Sequence, residues 1–227
     1  MKMGASLLGA AALAFTLGAA PEGSVDTALV LAVDVSGSVS EARYALQMEG
    51  IAAAFEDPEI EETILAGRHH AMFATLVEWS DRPQTTIAWT RIASHADARA
   101  FAARVRLSPR ADSQFTCMSQ ALQMIGGKVL PFLPAPADHV VVDVSGDGAE
   151  NCNPSVPIDA ARDALVGEGA TINGLPILEG EEAATLAPWY RDHVIGGVGA
   201  FLIPAAGFED VARAMRRKFI TEISLAK

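Results

Sequence analysis

Thr27-Ala-Leu-Val-Leu-Ala-Val-Asp34, followed at once by Val35-Ser36-Gly37-Ser38, is the stretch on which the reading of the fold turns. A continuous apolar run of this length that ends in an acid fits a strand buried on both faces of a parallel sheet. A second run of the same kind, Asp138 to Ser145, leads into Gly146-Asp147-Gly148. Both strand ends place oxygen ligands and glycines where open α/β sheets bind ligands, outside the carboxyl ends of the strands.

Working outward, strands and helices alternate. A helix is expected from about Ser40, with Tyr44, Met48, Ile51 and Phe55 at helical spacing. Glu56-Asp57-Pro58 should end or kink it. His70 to Ser80 reads as a strand, Asp81-Arg82-Pro83 as a turn, and Gln84 to Thr90 as a returning strand, so an antiparallel pair is expected at one edge. Helices are expected over His95 to Arg106, Cys117 to Lys128, Ile158 to Gly167 and Glu181 to Tyr190. Ala170 to Ile177 reads as a strand, and Ala200 to Ile203 as a short last one. The final helix starts near Phe208, with Val211, Met215 and Phe219 inward and Arg213, Arg216 and Lys218 outward. The pattern predicts a doubly wound, mostly parallel sheet covered by helices on both faces, a Rossmann-like α/β fold with one antiparallel edge strand.

The chain has 227 residues, half of them hydrophobic. That is ample for one core and unlike a disordered chain. With 17 basic against 28 acidic residues the net charge is −11, which argues against nucleic acid or an anionic membrane surface as partner. Lys2 precedes an uncharged run, Ala5 to Ala20, that closes on small residues before Pro21. Residues 1–20 therefore read as a secretory signal peptide, with an uncleaved anchor as the alternative. The domain is then 25–227, periplasmic or secreted, with no stable membrane insertion after cleavage. In an exported protein the two cysteines, Cys117 and Cys152, read as a disulfide; two buried free thiols are the alternative.

Asp34, Ser36 and Ser38 stand at i, i+2 and i+4, which puts three side-chain oxygens on one side of the loop, with Gly37 for a tight turn. One carboxylate and two hydroxyls suit Mg²⁺, Mn²⁺ or Ca²⁺ and are poor ligands for zinc or copper. Ser38 or Ser40 could equally cap the next helix, since Ser38 and Glu41 fit a capping box. Spacing alone leaves the two readings level.

At this point the sequence resembles a known family. Asp-x-Ser-x-Ser after the first strand is similar to the opening of the metal-ion-dependent adhesion site of von Willebrand factor A domains. The resemblance covers Ala28 to Lys227. More narrowly, the chain is similar to exported bacterial A-like proteins of no established function. The resemblance implies a constellation of five residues, Asp34, Ser36, Ser38, Thr116 and Asp147, around a divalent cation, Mg²⁺ first. It also implies a protein partner that supplies an Asp or Glu carboxylate. The loop before Thr116 lacks the family's glycine-rich approach, and Ser113 and Asp112 compete for its role. If the loops meet on one cation, a Cys117–Cys152 bridge would pin the second to the third.

Asp143, inside an apolar strand, is expected to be a buried carboxylate paired with neighbouring backbone N–H groups or a hydroxyl; a supporting role near the cation is the alternative. His69-His70 lacks a Cys or a second His cluster at ligand spacing, so the pair reads as strand-end histidines. Trp79, Trp89 and Trp189 read as packing, and the basic residues of the last helix as a solvated face.

No enzyme motif is present. Asp34 and Ser38 stand where a nucleophile elbow around Ser36 needs glycines. Ser145 is likewise flanked by Asp143 and Asp147, and no P-loop occurs. A metal-assisted hydrolase would have only Asp143 or Glu150 as base. The expectation is a non-enzymatic binding module. A hydrolase, or a domain whose cation is purely structural, are the alternatives.

Overall fold

The computed structural model describes residues 23–111 and 114–225. The signal segment 1–20 and the competitors Asp112 and Ser113 lie outside the described residues.

The sheet has five strands: β1 (Val25–Asp34), β2 (Met72–Trp79), β3 (Gln84–Ile92), β4 (Ala137–Gly146) and β5 (Ala170–Pro176), in the order β3-β2-β1-β4-β5. All pairs are parallel except β2 with β3. β1 is central, and all but one of its residues are buried, as its unbroken apolar run requires.

Helices α1 (Glu41–Phe55), α2 (Pro58–Leu65), α3 (His95–Arg106) and α7 (Val211–Leu225) cover one face. They pack on Leu29, Leu31 and Val33, with Phe55 edge-on to Phe101 and Phe219. Helices α4 (Met118–Met124) and α5 (Ile158–Gly167) cover the other face, over Val30, Ala32, Val142 and Val144. A short helix α6 (Ala183–Trp189) runs into a wide turn, Tyr190–Val194, which joins this second layer. The sheet order reverses between β1 and β4. The crevice at their carboxyl ends is therefore the topological switch point, where such sheets bind ligands.

Several expectations are corrected. Pro58 does not merely end α1; it opens α2, with Asp57 as cap accepting from the Glu59 N–H at 2.9 Å. Proline suits a first helical position because its missing N–H has no partner there anyway. The helix expected over Cys117 to Lys128 is regular only to Met124 and widens at Ile125–Val129, where Gly126-Gly127 weaken it. Ala200 to Ile203 forms no strand; the segment makes isolated bridges, Leu202 to Gly174 and Ala205 to Ile177, and Pro204 lacks the N–H needed to extend a ladder.

Lys218 is not outward. It is fully buried and ion-paired with both Asp143 and Glu222. In α7 it lies at i+3 from Met215 and next to Phe219, so it belongs to the inward face. Asp143 is thus held by an ammonium group from α7, not by backbone N–H groups or a hydroxyl. Asn173 Nδ2 completes the cluster by donating to Glu222 Oε1 at 2.7 Å. Burial, then the nearby Asp143 charge, pushes the Glu222 carboxyl well above its usual range.

Candidate metal centre

The crevice between β1 and β4 is built first from backbone. Val35 N–H bonds to Trp79 O and Val39 N–H to Ser36 O, each at 3.0 Å, so the chain turns sharply off the end of β1. Side chains then hold the loop's carbonyls. Gln47 Nε2 donates to Asp34 O (3.2 Å), and Arg110 donates to Val35 O (2.9 Å) and Ser36 O (3.1 Å). Arg43 donates to Ser38 O (2.7 Å). A loop tied this often keeps its side chains in fixed directions.

The cap of α1 is Ser40, whose side chain accepts from Arg43 N–H. Ser38 is therefore free of capping. Its hydroxyl instead donates to Asp147 Oδ1 at 2.6 Å and lies 3.2 Å from Ser36 Oγ. This contact joins the loop after β1 to the loop after β4. The third loop arrives because Gly37 N–H donates to Gln114 O at 3.1 Å. A Cβ on Gly37 would sit 3.2 Å from that oxygen, and one on Gly148 would sit 3.6 Å from Thr116 Oγ1. Thr116 thus lies against the residue that follows Asp147. Asp34, Ser36, Ser38, Thr116 and Asp147 converge on one place, and all but Ser38 are buried.

Asp34 is fully buried. Its Oδ1 accepts from Ser36 N–H at 2.7 Å, while its Oδ2 has no hydrogen-bond partner among the described residues. Burial pushes this carboxyl from 3.8 to about 7, the Ser36 bonds oppose the rise, and the charge of Asp147 adds to it. Burial likewise raises Asp147, against the Ser38 bond and the Arg43 charge 3.7 Å away. Two neighbouring buried carboxylates, only Asp147 of them near a basic group, and one buried oxygen without a hydrogen bond are what a hard cation would satisfy. Tyr190 Oη and Trp79 Nε1 are also buried without partners. A Cβ on Gly146 would fall 2.8 Å from Asp34 Oδ2 and 3.0 Å from both Trp79 Cζ2 and Tyr190 Oη, so only glycine fits beneath the site.

Cys117 and Cys152 form a disulfide, with Cα atoms 5.2 Å apart. Closing a loop of 35 residues stabilises the fold by about 4 kcal/mol in the chain-entropy model. The bridge joins the Thr116 segment to the chain that follows Asp147.

Sequence reasoning did not find Arg43, Asn151 or Tyr190. Arg43 bonds Ser38 O, pairs with Glu179 and lies over the Phe208 ring. Asn151 hydrogen-bonds Thr116. For Asn151 the adjacent Cys152 was an available signal; Tyr190 reaches the site only through the turn after α6.

The fold recurs in solved structures. Proximal thread matrix protein 1 (PTMP1) from the mussel byssus superposes with a TM-score of 0.66 at 13% identity, over 86% of this chain and 47% of that one. A second structure of that protein, with a zinc-occupied MIDAS motif, gives 0.62 at 16% identity over 87% and 46%. A von Willebrand factor type A protein from Catenulispora acidiphila gives 0.63 at 15% identity, over 88% and 43%. The vWF domain of the type V pili tip protein Mfa5 from Porphyromonas gingivalis gives 0.59 at 10% identity, over 89% and 97%. The chain thus spans about half the length of PTMP1 and nearly all of the Mfa5 domain. No curated protein matches the sequence significantly. The fold is that of von Willebrand factor A domains, and residues 24–227 match the model of a family described as a protein of unknown function, DUF1194, to which this chain belongs.

Proposed function

We propose that this chain is an exported adhesion-type module that captures a partner protein's carboxylate through a divalent cation held by Asp34, Ser36, Ser38, Thr116 and Asp147. The observation that carries the reading is the orphaned, fully buried Asp34 Oδ2 in a cluster where Ser38 already bonds Asp147 across the switch point. Mg²⁺ is the expected cation, because it tolerates one or two carboxylates alongside neutral oxygens and water. Hydroxyl ligands leave such an ion electrophilic, so it can accept one more anionic oxygen from outside. The zinc at the PTMP1 motif supports a cation at the corresponding place in this fold. The matrix and pilus-tip relatives support binding, and an extracellular or surface setting, over catalysis.

Of the two carboxylates that a hydrolase could use as base, Asp143 is ion-paired with Lys218, and Glu150 accepts from Ser119 N–H at 2.7 Å through one of its oxygens. No helix among the described residues is long and apolar enough to cross a membrane.

Calorimetric titration of Mg²⁺ and Mn²⁺ into chelator-stripped protein tests the proposal. The wild type should bind one equivalent, and Asp147→Ala should bind at least tenfold more weakly. With Mn²⁺ bound, a glutamate-containing peptide should bind more tightly than its glutamine counterpart. Equal cation affinity in both proteins would refute the site; equal peptide affinity would refute carboxylate capture alone.

A further inference from the structure

We propose that Asn151 is a positioning residue that sets the Thr116 side chain for cation binding; this rests on the cation reading above. The need arises from the sequence. The chain reaches Thr116 through Gln114-Phe115, whose side chains are exposed, whereas Thr116 itself is buried, so its N–H and hydroxyl need partners inside the protein.

Asn151 supplies what is missing. Its Oδ1 accepts from Thr116 N–H at 2.8 Å, its Nδ2 donates to Thr116 Oγ1 at 3.3 Å, and its own N–H donates to Thr116 O at 3.1 Å. The first and third bonds fix the backbone on both sides of the threonine. The second selects a χ1 rotamer and occupies one lone pair of Oγ1. A hydroxyl oxygen has two lone pairs, so one stays free for a cation while the O–H points elsewhere.

The neighbours of Asn151 grip the same segment. Glu150 accepts from Ser119 N–H at 2.7 Å, and Cys152 is bonded to Cys117. Three consecutive residues, Glu150-Asn151-Cys152, therefore hold Ser119, Thr116 and Cys117. In Asn151→Ala the backbone bond and the disulfide survive, so the loop stays in place. What is lost is the side-chain acceptor of Thr116 N–H and, with the Nδ2 bond, the direction of Oγ1.

A double-mutant cycle tests this, with Mn²⁺ affinity measured for wild type, Asn151→Ala, Thr116→Ala and the double variant. Asn151→Ala should weaken Mn²⁺ binding about five- to tenfold, the scale of one or two net hydrogen bonds. In the Thr116→Ala background the same change should have less than a twofold effect. The metal-free melting temperature of Asn151→Ala should stay within a few degrees of wild type. Equal losses in both backgrounds, an unchanged affinity in Asn151→Ala, or a collapse of its melting temperature would each overturn the proposal. Absence of Mn²⁺ binding by the wild type would instead overturn the cation reading itself, and this proposal with it.

Discussion

Asp34→Asn should abolish cation binding and yet raise the melting temperature of the metal-stripped protein at pH 8. The Asp34 carboxyl is fully buried, and burial first, then the charge of Asp147, lifts it from 3.8 to about 7. A group raised in the folded state binds its proton more tightly there than in the unfolded chain. Stability contributed by that proton is complete below about pH 4 and is lost as pH rises towards 7. A shift of this size corresponds to a penalty on the order of 4 kcal/mol at pH 8. Asparagine removes the charge and keeps an oxygen to accept from Ser36 N–H. Its amide also places a donor where Oδ2 now lacks a partner, near the unpartnered Tyr190 Oη. At pH 8 with chelator the variant should melt several degrees above wild type, and at pH 4 the difference should vanish. With saturating Mn²⁺ the order should reverse, because only the wild type gains binding energy. A variant that melts below wild type at pH 8 in chelator would contradict this reading of the site.

Lys218→Met should be the most damaging single change away from the metal centre. Lys218 is fully buried, with its ammonium between Asp143 and Glu222, and it lies 5.7 Å from the centre of the Phe201 ring. Methionine has a similar length but leaves two acids under the sheet without their cation. Breaking a buried pair from one side costs about 3–5 kcal/mol. Glu222→Gln should act in the opposite direction at neutral pH. Burial and the Asp143 charge raise the Glu222 carboxyl, so its proton stabilises the fold at low pH and that stability is lost as pH climbs. Glutamine keeps an oxygen for Asn173 and removes the titration. Urea denaturation at pH 8 distinguishes the two variants: a lowered midpoint for Lys218→Met, and an unchanged or raised one for Glu222→Gln. A neutral Lys218→Met would mean that Asp143, Lys218 and Glu222 do not act as a unit.

The sheet was legible because each buried strand is an apolar run with its own boundary signal, and β1 and β4 end in the oxygen-bearing residues that define the crevice. The antiparallel edge pair followed from the turn at Asp81-Arg82-Pro83. Helix α2 was missed because Pro58 carries two signals, a stop for α1 and a start for the next helix, and only the Asp57 cap decides between them. Lys218 was misread because charge was weighed above position, although its place beside Phe219 marks the inward face. In the site, Asp34, Ser36 and Ser38 are local in sequence and Asp147 repeats their setting, so four residues were readable from strand ends. The support for Thr116 comes from Asn151, 35 residues away, and hydrogen bonds between loops leave no periodic trace. Tyr190 and Arg43 are invisible for the same reason: each acts through a tertiary approach.

The most direct measurement of the central claim is anomalous diffraction from crystals grown with Mn²⁺. One strong anomalous peak is predicted in the crevice between β1 and β4, enclosed by Ser36, Ser38 and Thr116, beside Asp34 and Asp147, and absent after soaking in chelator. A peak at another place in the molecule, or an empty crevice at saturating Mn²⁺, would contradict it.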